Sequence, residues 1–345
     1  MVALIRNIKS HTILGKISLP DRFRDAVSFV LLAVLFGGAF VAIETGLREL
    51  PPLLFASLRF DIAAVALLSY ILLRYPRSAW LPRTRNDVLG IGIAGLFLIA
   101  LNNALLFVGQ GHTTPAMASI MYGLNPILAP AFAWWLLGDR LSLPGLVGIG
   151  VALAGVVVIV QPSPATLTDP GTVGQVLILC AAAAVAIGSV LLKRFQPQMG
   201  SLPLTGWAML VGALPLHAAS LAAGESLTDA ADIAPLTAVS LLIVGIPSTA
   251  VAYAVHFGLL ERIGPVRTNL VAYLVPVVAA LMGWVFLGAG LSAITVLGFL
   301  IVVVGFGLIE RRTLQREVRR IRHRQRWRRE QDQNPGGGSS YPCDD

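Results

Sequence analysis

Three ionisable side chains, Glu44, Arg59 and Asp61, stand inside long apolar runs of this chain. A charged group in hydrocarbon costs several kcal/mol unless it is paired or hydrated, so such residues mark places where charge is bound, moved or neutralised. At ~1.5 Å of rise per helical residue, Glu44 lies about one turn from the end of its run and Arg59 about two turns into the next. The two therefore fall at similar depth on consecutive antiparallel helices and could form an ion pair. Such a pair would be either a structural tie or a gating contact. Asp61, two positions beyond Arg59, points to a different face and needs another partner or water. It is the better candidate proton carrier. His256, near the end of its own run, can reach for the interface or serve in a relay.

A second polar set follows helical spacing. Ser119, Tyr122 and Pro126 fall at i, i+3 and i+7, and Asn269, Tyr273 and Pro276 at i, i+4 and i+7, so each group shares one helical face. A proline in mid-helix frees a carbonyl and kinks the helix, which a membrane protein tolerates where that carbonyl faces protein or a hydrated cavity. Asn102, Asn103, Asn125, Pro247, Ser248, Thr249 and Tyr253 add polar groups at comparable depth. These residues either line a substrate cavity or form interhelical bonds worth about 0.6 kcal/mol each.

Catalytic chemistry finds no foothold. The chain has no His-Glu-x-x-His run, no Gly-x-Ser-x-Gly and no phosphate loop, and its five histidines are scattered without ligand spacing. Cys180 and Cys343 are the only cysteines, which excludes a disulfide framework and a Cys-rich metal site. No catalytic residue, metal or cofactor is expected.

The elements that hold these side chains are membrane spans. The composition is 56% hydrophobic and 13% charged, against roughly 25% charged for a soluble domain. Because a span needs about 20 apolar residues as helix, ten runs qualify: 26–46, 52–73, 88–108, 115–137, 143–160, 173–192, 203–222, 235–259, 265–287 and 291–309. Short breaks with turn chemistry separate them, such as Pro51-Pro52, Gln161-Pro162 and Gly264-Pro265. The first 25 residues carry Arg6, Lys9, Lys16, Arg22 and Arg24 without an apolar core, which does not fit a cleavable signal peptide.

Lys and Arg set the orientation, since cytoplasmic loops hold their excess. With the amino terminus inside, the inner segments receive those five charges, then Arg74, Arg77, Arg83 and Arg85, Arg140, Lys193 and Arg194, Arg262 and Arg267, and the Arg-rich tail. The outer side receives Arg48, with Asp169, Glu225, Asp229 and Asp232. Both termini are expected in the cytoplasm and the chain in the cell (plasma or inner) membrane.

One phrase is written twice. "NPILAPAFAWWLLGDRLS" from Asn125 and "VPVVAALMGWVFLGAGLS" from Val275 match at Pro126/Pro276, Trp134/Trp284, Leu137-Gly138/Leu287-Gly288 and Leu141-Ser142/Leu291-Ser292, a constant offset of 150 residues. Gly148/Gly298 and Gly155/Gly305 continue the match. The copies lie five helices apart, and five is odd, so they face opposite ways. The first turn, on the inner side, carries Asp139-Arg140, whereas the outer copy reads Ala289-Gly290. The expected fold is an all-α integral membrane protein of ten transmembrane helices in two inverted five-helix repeats, the architecture in which alternating access turns about a midplane site.

The chain resembles the drug/metabolite transporter superfamily, in particular its EamA-like ten-helix members, whose halves each end in a "P…LGE-x-L…G…G" pattern. Here that pattern is Pro126, Leu137-Gly138-Asp139-Arg140-Leu141, Gly148 and Gly155, then Pro276, Leu287-Gly288, Leu291, Gly298 and Gly305. Asp replaces the usual Glu in the first copy, and the second lacks both charges. The resemblance implies export or exchange of a small organic metabolite and a cavity between the helices that carry the polar set. It divides the chain into a cytoplasmic segment 1–25, repeats at 26–160 and 173–309, and an Arg-rich cytoplasmic tail at 310–345.

That tail, "ERRTLQREVRRIRHRQRWRRE" and then "NPGGGSSYPCDD", is expected to extend the last helix and give way to disorder. Arginine beside a last span is attracted to anionic lipid at about 1 kcal/mol per charge. The expected partners are therefore a small-molecule solute and the bilayer, with anionic lipid at the tail. Nucleic acid is not expected, since no folded domain accompanies the Arg run. A homo-oligomer is compatible with this reading. The competing class is a non-transporting multi-pass protein, a scaffold or an intramembrane enzyme.

Overall fold

The computed structural model describes residues 21–138, 143–161, 169–226, 233–264, 268, 270–290, 292–309 and 311. Ten apolar helices run through them: α1 (Asp21–Gly46), α2 (Pro52–Arg74), α3 (Arg85–Gln110), α4 (Pro115–Leu137), α5 (Leu143–Val160), α6 (Pro170–Phe195), α7 (Ser201–Ala222), α8 (Pro235–Ile263), α9 (Val271–Leu287) and α10 (Ala293–Ile309). The all-α, ten-helix reading of the sequence stands. Eight helices are long and apolar enough to cross a bilayer, and α9 and α10 are shorter apolar helices of 17 residues. The largest boundary difference is at α9, expected from 265 but starting at Val271, with 265–267 and 269 outside the described residues. The arginine-rich tail, Asp139-Arg140 and the first 20 residues also lie outside them.

Local chemistry sets the helix ends. Pro52, Pro115, Pro170 and Pro235 occupy first-turn positions, where a missing N–H costs nothing. Thr84 and Asp87 form a reciprocal capping box at the start of α3. The repeated Leu-Gly ends both α4 and α9: Gly138 at φ 69° and Gly288 at φ 66° take the left-handed conformation that an L side chain resists. Their N–H groups donate to the carbonyls of the repeated Trp134 and Trp284, at 3.2 and 3.1 Å.

The helices pack as two equivalent sets. The contact of α1 with α9 is matched by that of α6 with α4, α3 with α6 by α8 with α1, and α3 with α7 by α8 with α2. Two pairs, α2 with α7 and α5 with α10, map onto themselves. Glycines show the symmetry at atomic scale. A Cβ on Gly148 would come within 2.6 Å of the Gly305 carbonyl oxygen, and one on Gly155 within 2.8 Å of that of Gly298. Exchanging the repeats converts the first contact into the second. The glycine spacing of the repeated phrase thus allows α5 and α10 to touch backbone to backbone.

Acidic side chains tie the second helix of each half to the other half. Asp87 accepts backbone N–H bonds from Arg83 and Thr84, and from Gln198 and Met199 just before α7, at 2.7–3.1 Å. Glu225, after α7, accepts from Leu53 and Leu54 in the first turn of α2 at 3.2 and 2.6 Å. Glu225 thus satisfies N–H donors that the start of α2 leaves open, and Asp87 those of the segments leading into α3 and α7. The core lies between α1, α2, α3, α4, α7 and α8, where Phe55, Phe60, Phe107 and Met121 are fully buried.

Candidate functional site

Two breaks in helical regularity create the polar centre. In α3 the residues Ala94–Leu101 form a π-helical stretch, and in α8 the residues Ile246–Val251 do the same. The 150-residue offset places the two stretches at matching depth in the two halves. Pro247 lacks the N–H that would continue the α-helical ladder, which accounts for the widening in α8. Polar side chains bond to the displaced carbonyls: Thr249 Oγ1 donates to Val244 O at 2.7 Å, and Asn103 Nδ2 to Ile99 O at 2.8 Å. Asn102 Nδ2 donates to Leu98 O at 3.0 Å.

Arg59 of α2 reaches this centre. Gly245 allows the close approach, since a Cβ there would press on Ile62 and lie 3.3 Å from the Arg59 carbonyl oxygen. One turn later Thr249 Oγ1 accepts from Arg59 Nε at 2.9 Å, and Asn103 Oδ1 accepts from Nη1 at 3.3 Å. Phe60 and Phe107 lie over the guanidinium with ring centroids 4.9 and 5.5 Å from Cζ, close enough for cation–π attraction. Arg59 is 8% exposed, and the Tyr122 and Tyr253 hydroxyls are within electrostatic reach. Tyr122 also lies beside Asn102. The Asn102 carbonyl oxygen is nevertheless buried without a donor in normal hydrogen-bond geometry.

The expected Glu44–Arg59 ion pair does not form. Arg59 spends its described bonds on Thr249 and Asn103, and the cation acting on half-buried Glu44 is Arg48 on the adjacent loop. Rotation about the helix axes gives the two side chains different neighbours. Asp61 has a partner that the sequence reading missed: His217 Nε2 of α7 lies 2.7 Å from its carboxylate. Both side chains are partly exposed, and Val65, Leu214 and Leu221 beside them are among the most exposed apolar residues. The pair is therefore on the α2–α7 flank and not in the Arg59 centre. His256 packs on Phe36 and Phe257, with Nδ1 buried and in no described hydrogen bond.

The remaining site candidates divide. Asn102, Asn103, Tyr122, Thr249 and Tyr253 surround Arg59. Ser119 is buried and donates to Ala116 O at 2.7 Å, and Ser248 is buried in the α8 π stretch. Tyr273 packs against Phe306 of α10, ring centroids 4.4 Å apart and tilted by 41°, and Asn125 is half-buried. Asn269 lies outside the described residues. The prolines act differently from one another. α4 breaks after Tyr122 and restarts at Asn125 with Pro126 in its first turn, whereas Pro276 and the unheralded Pro130 sit inside helical turns. Phe107 could have been found by spacing, four residues after Asn103 on the same face of α3. His217 could not, because only the packing of α7 on α2 brings it to Asp61.

A ten-helix bundle whose halves pair equivalently around a buried polar centre is the build of a membrane transporter. The model of the EamA-like transporter family matches twice, over residues 25–161 and 172–311, and the chain belongs to that family. It is 29% identical to the uncharacterized inner membrane transporter YedA of Escherichia coli K12 over 296 residues, covering 83% of this chain and 93% of that protein. An uncharacterized transporter of Archaeoglobus fulgidus is 29% identical, with 83% and 98% covered. A probable amino-acid metabolite efflux pump of Escherichia coli K12 is 28% identical over 309 residues, with 85% and 98% covered. One solved crystal structure shares the fold with a TM-score of 0.59 at 21% identity, covering 83% of this chain and 97% of that one.

Proposed function

We propose that the chain is a secondary carrier, an exporter or exchanger, that moves a small organic metabolite by alternating access between two inverted repeats at 26–160 and 173–309. The single observation that carries this reading is the matched pair of π-helical stretches in α3 and α8, which opens polar backbone at one depth in both halves. Irregular backbone at membrane depth is tolerated where it faces protein or a hydrated site, and repeat-built carriers bind substrate there. The metabolite efflux ascribed to one relative supports export. Asn102, Asn103, Tyr122, Thr249 and Tyr253 form the cavity wall, with Ser119, Asn125, Ser248, Asn269 and Tyr273 extending it. Pro126 and Pro247 sit where α4 and α8 depart from regular helix, and with Pro276 inside α9 they mark the points about which the halves rearrange.

Both termini face the cytoplasm in this scheme, and the Arg-rich tail rests on anionic lipid. Asp61, 2.7 Å from His217 Nε2, is the proton-coupling residue in this scheme. Glu44, on the same side as the start of α2, serves at the gate. Liposomes loaded with a metabolite extract and diluted into labelled extract test the core of the proposal. Protein-dependent counterflow of at least one solute is expected; a protein that folds, inserts and gives none would be a scaffold.

A further inference from the structure

The Arg59 guanidinium is a buried cation whose described partners are all uncharged. It carries five N–H donors, of which one on Nε goes to Thr249 and one on Nη1 to Asn103. Nη2 is in no described hydrogen bond and Nη1 has a second N–H left over, while aromatic rings lie over the planar group. Among the described residues no carboxylate is in an ion pair with Arg59. Asp61 is with His217, Asp25 is with Arg262 at 2.8 Å, and Glu44 is under the influence of Arg48. A buried charge without a counter-charge is costly, and a guanidinium fork matches the two oxygens of a carboxylate. Close by, the buried Asn102 carbonyl oxygen lacks a donor.

From these features we infer that Arg59 is the anion-recognition residue of the carrier and that its solute is a small organic acid bearing one carboxylate. The Nη1–Nη2 fork holds the carboxylate end-on, and a hydroxyl or amino group of the solute donates to Asn102 Oδ1. One cation balances one negative charge. A phosphate monoester, at about −1.5 to −2 near neutral pH, would leave charge uncompensated among these neutral neighbours. Thr249 and Asn103 act as positioning residues, since their hydrogen bonds fix the guanidinium plane while Nη2 and one N–H of Nη1 remain for the carboxylate. This inference rests on the carrier reading, which it deepens by naming the class of cargo.

The test uses the full-length protein in lipid nanodiscs, with thermal unfolding followed against acetate and lactate, against acetamide and lactamide, and against inorganic phosphate. A ligand that binds only the folded state raises the unfolding temperature. The acids should do so and their neutral amides should not, with lactate stronger than acetate because of its hydroxyl and phosphate weaker than both. Arg59→Gln should weaken lactate binding by about 10–100-fold, the range for losing hydrogen bonds to a charged group. Should that variant fail to insert, Arg59→Lys keeps the charge but loses the fork, and a weaker response with the same preference for acids is expected. Equal shifts by acids and amides, a stronger shift by phosphate, or wild-type affinity in either variant would overturn the assignment. Counterflow measured in parallel separates the two readings. Acid binding without counterflow refutes the carrier and leaves the anion site standing, whereas counterflow of neutral solutes untouched by Arg59→Gln refutes the anion site alone.

Discussion

Asp61 and His217 form a hydrogen-bonded acid–base pair on the α2–α7 flank, 2.7 Å apart and only partly buried. If this pair exchanges the proton that drives transport, Asp61→Asn should abolish the response to an imposed pH gradient. Exchange of solute for solute should survive, because exchange needs the alternating motion and no proton release. Liposomes with and without a pH gradient measure both, and a gradient response equal to wild type would remove the pair from the mechanism. Glu44 and Arg59 show the limit of residue-level reading. Their depth follows from the helical rise, but the partner of each depends on rotation and tilt, which ten neighbouring helices settle together. Arg59 consequently meets Thr249, some 190 positions away in the chain.

At the scale of elements, the acid caps and glycine contacts are where stability is concentrated. Asp87 satisfies four backbone donors and links α3 to the start of α7. Asp87→Ala should destabilise the protein by about 2–4 kcal/mol, given roughly 1.5–3 kcal/mol for each hydrogen bond to a charged group and partial rescue by water. Asp87→Asn, which can still accept at one atom, should lie between. Unfolding in a fixed detergent reads the order, and equal stability of all three would contradict the cap's role. Gly148 gives a sharper contrast with Gly150. A Cβ at Gly148 meets backbone at 2.6 Å, while one at Gly150 meets nothing within 4 Å. Gly148→Val should separate α5 from α10 and lower the unfolding temperature by several degrees, for a loss of about 1–3 kcal/mol. Gly150→Val should leave it unchanged.

For the whole molecule, charge asymmetry makes a directional prediction. After Cys180 and Cys343 are replaced by Ser, a membrane-impermeant thiol reagent applied to intact cells should label Ala223→Cys after α7 and spare Gln198→Cys before it. Both positions are exposed in the structure, so labelling reports the side of the membrane and not burial. The opposite pattern would invert the topology. Truncation at residue 315 should leave transport largely intact while reducing association of that end with anionic vesicles. Complete loss of transport in a truncated protein that inserts normally would make the tail part of the mechanism.

The sequence by itself determined the ten apolar helices, since eight are long enough to cross a bilayer, the other two are short but apolar, and proline, glycine and capping residues that act locally mark their ends. It also revealed the repetition, because Pro, Trp, Leu-Gly and the later glycines recur in one frame, and in the structure those residues end α4 and α9 and bring α5 against α10. Polar depth was legible for the same reason: Asn103, Thr249 and Arg59 were candidates on composition and helical rise alone. Tertiary structure decided which of them meet. Glu44 was separated from Arg59, Asp61 was turned to His217, and the π-helical widening of α3 and α8 moved Asn103 and Thr249 onto one guanidinium. Such choices depend on helix rotation, tilt and backbone irregularity. Those quantities follow from the simultaneous packing of all the helices and leave no signature in the spacing of any one.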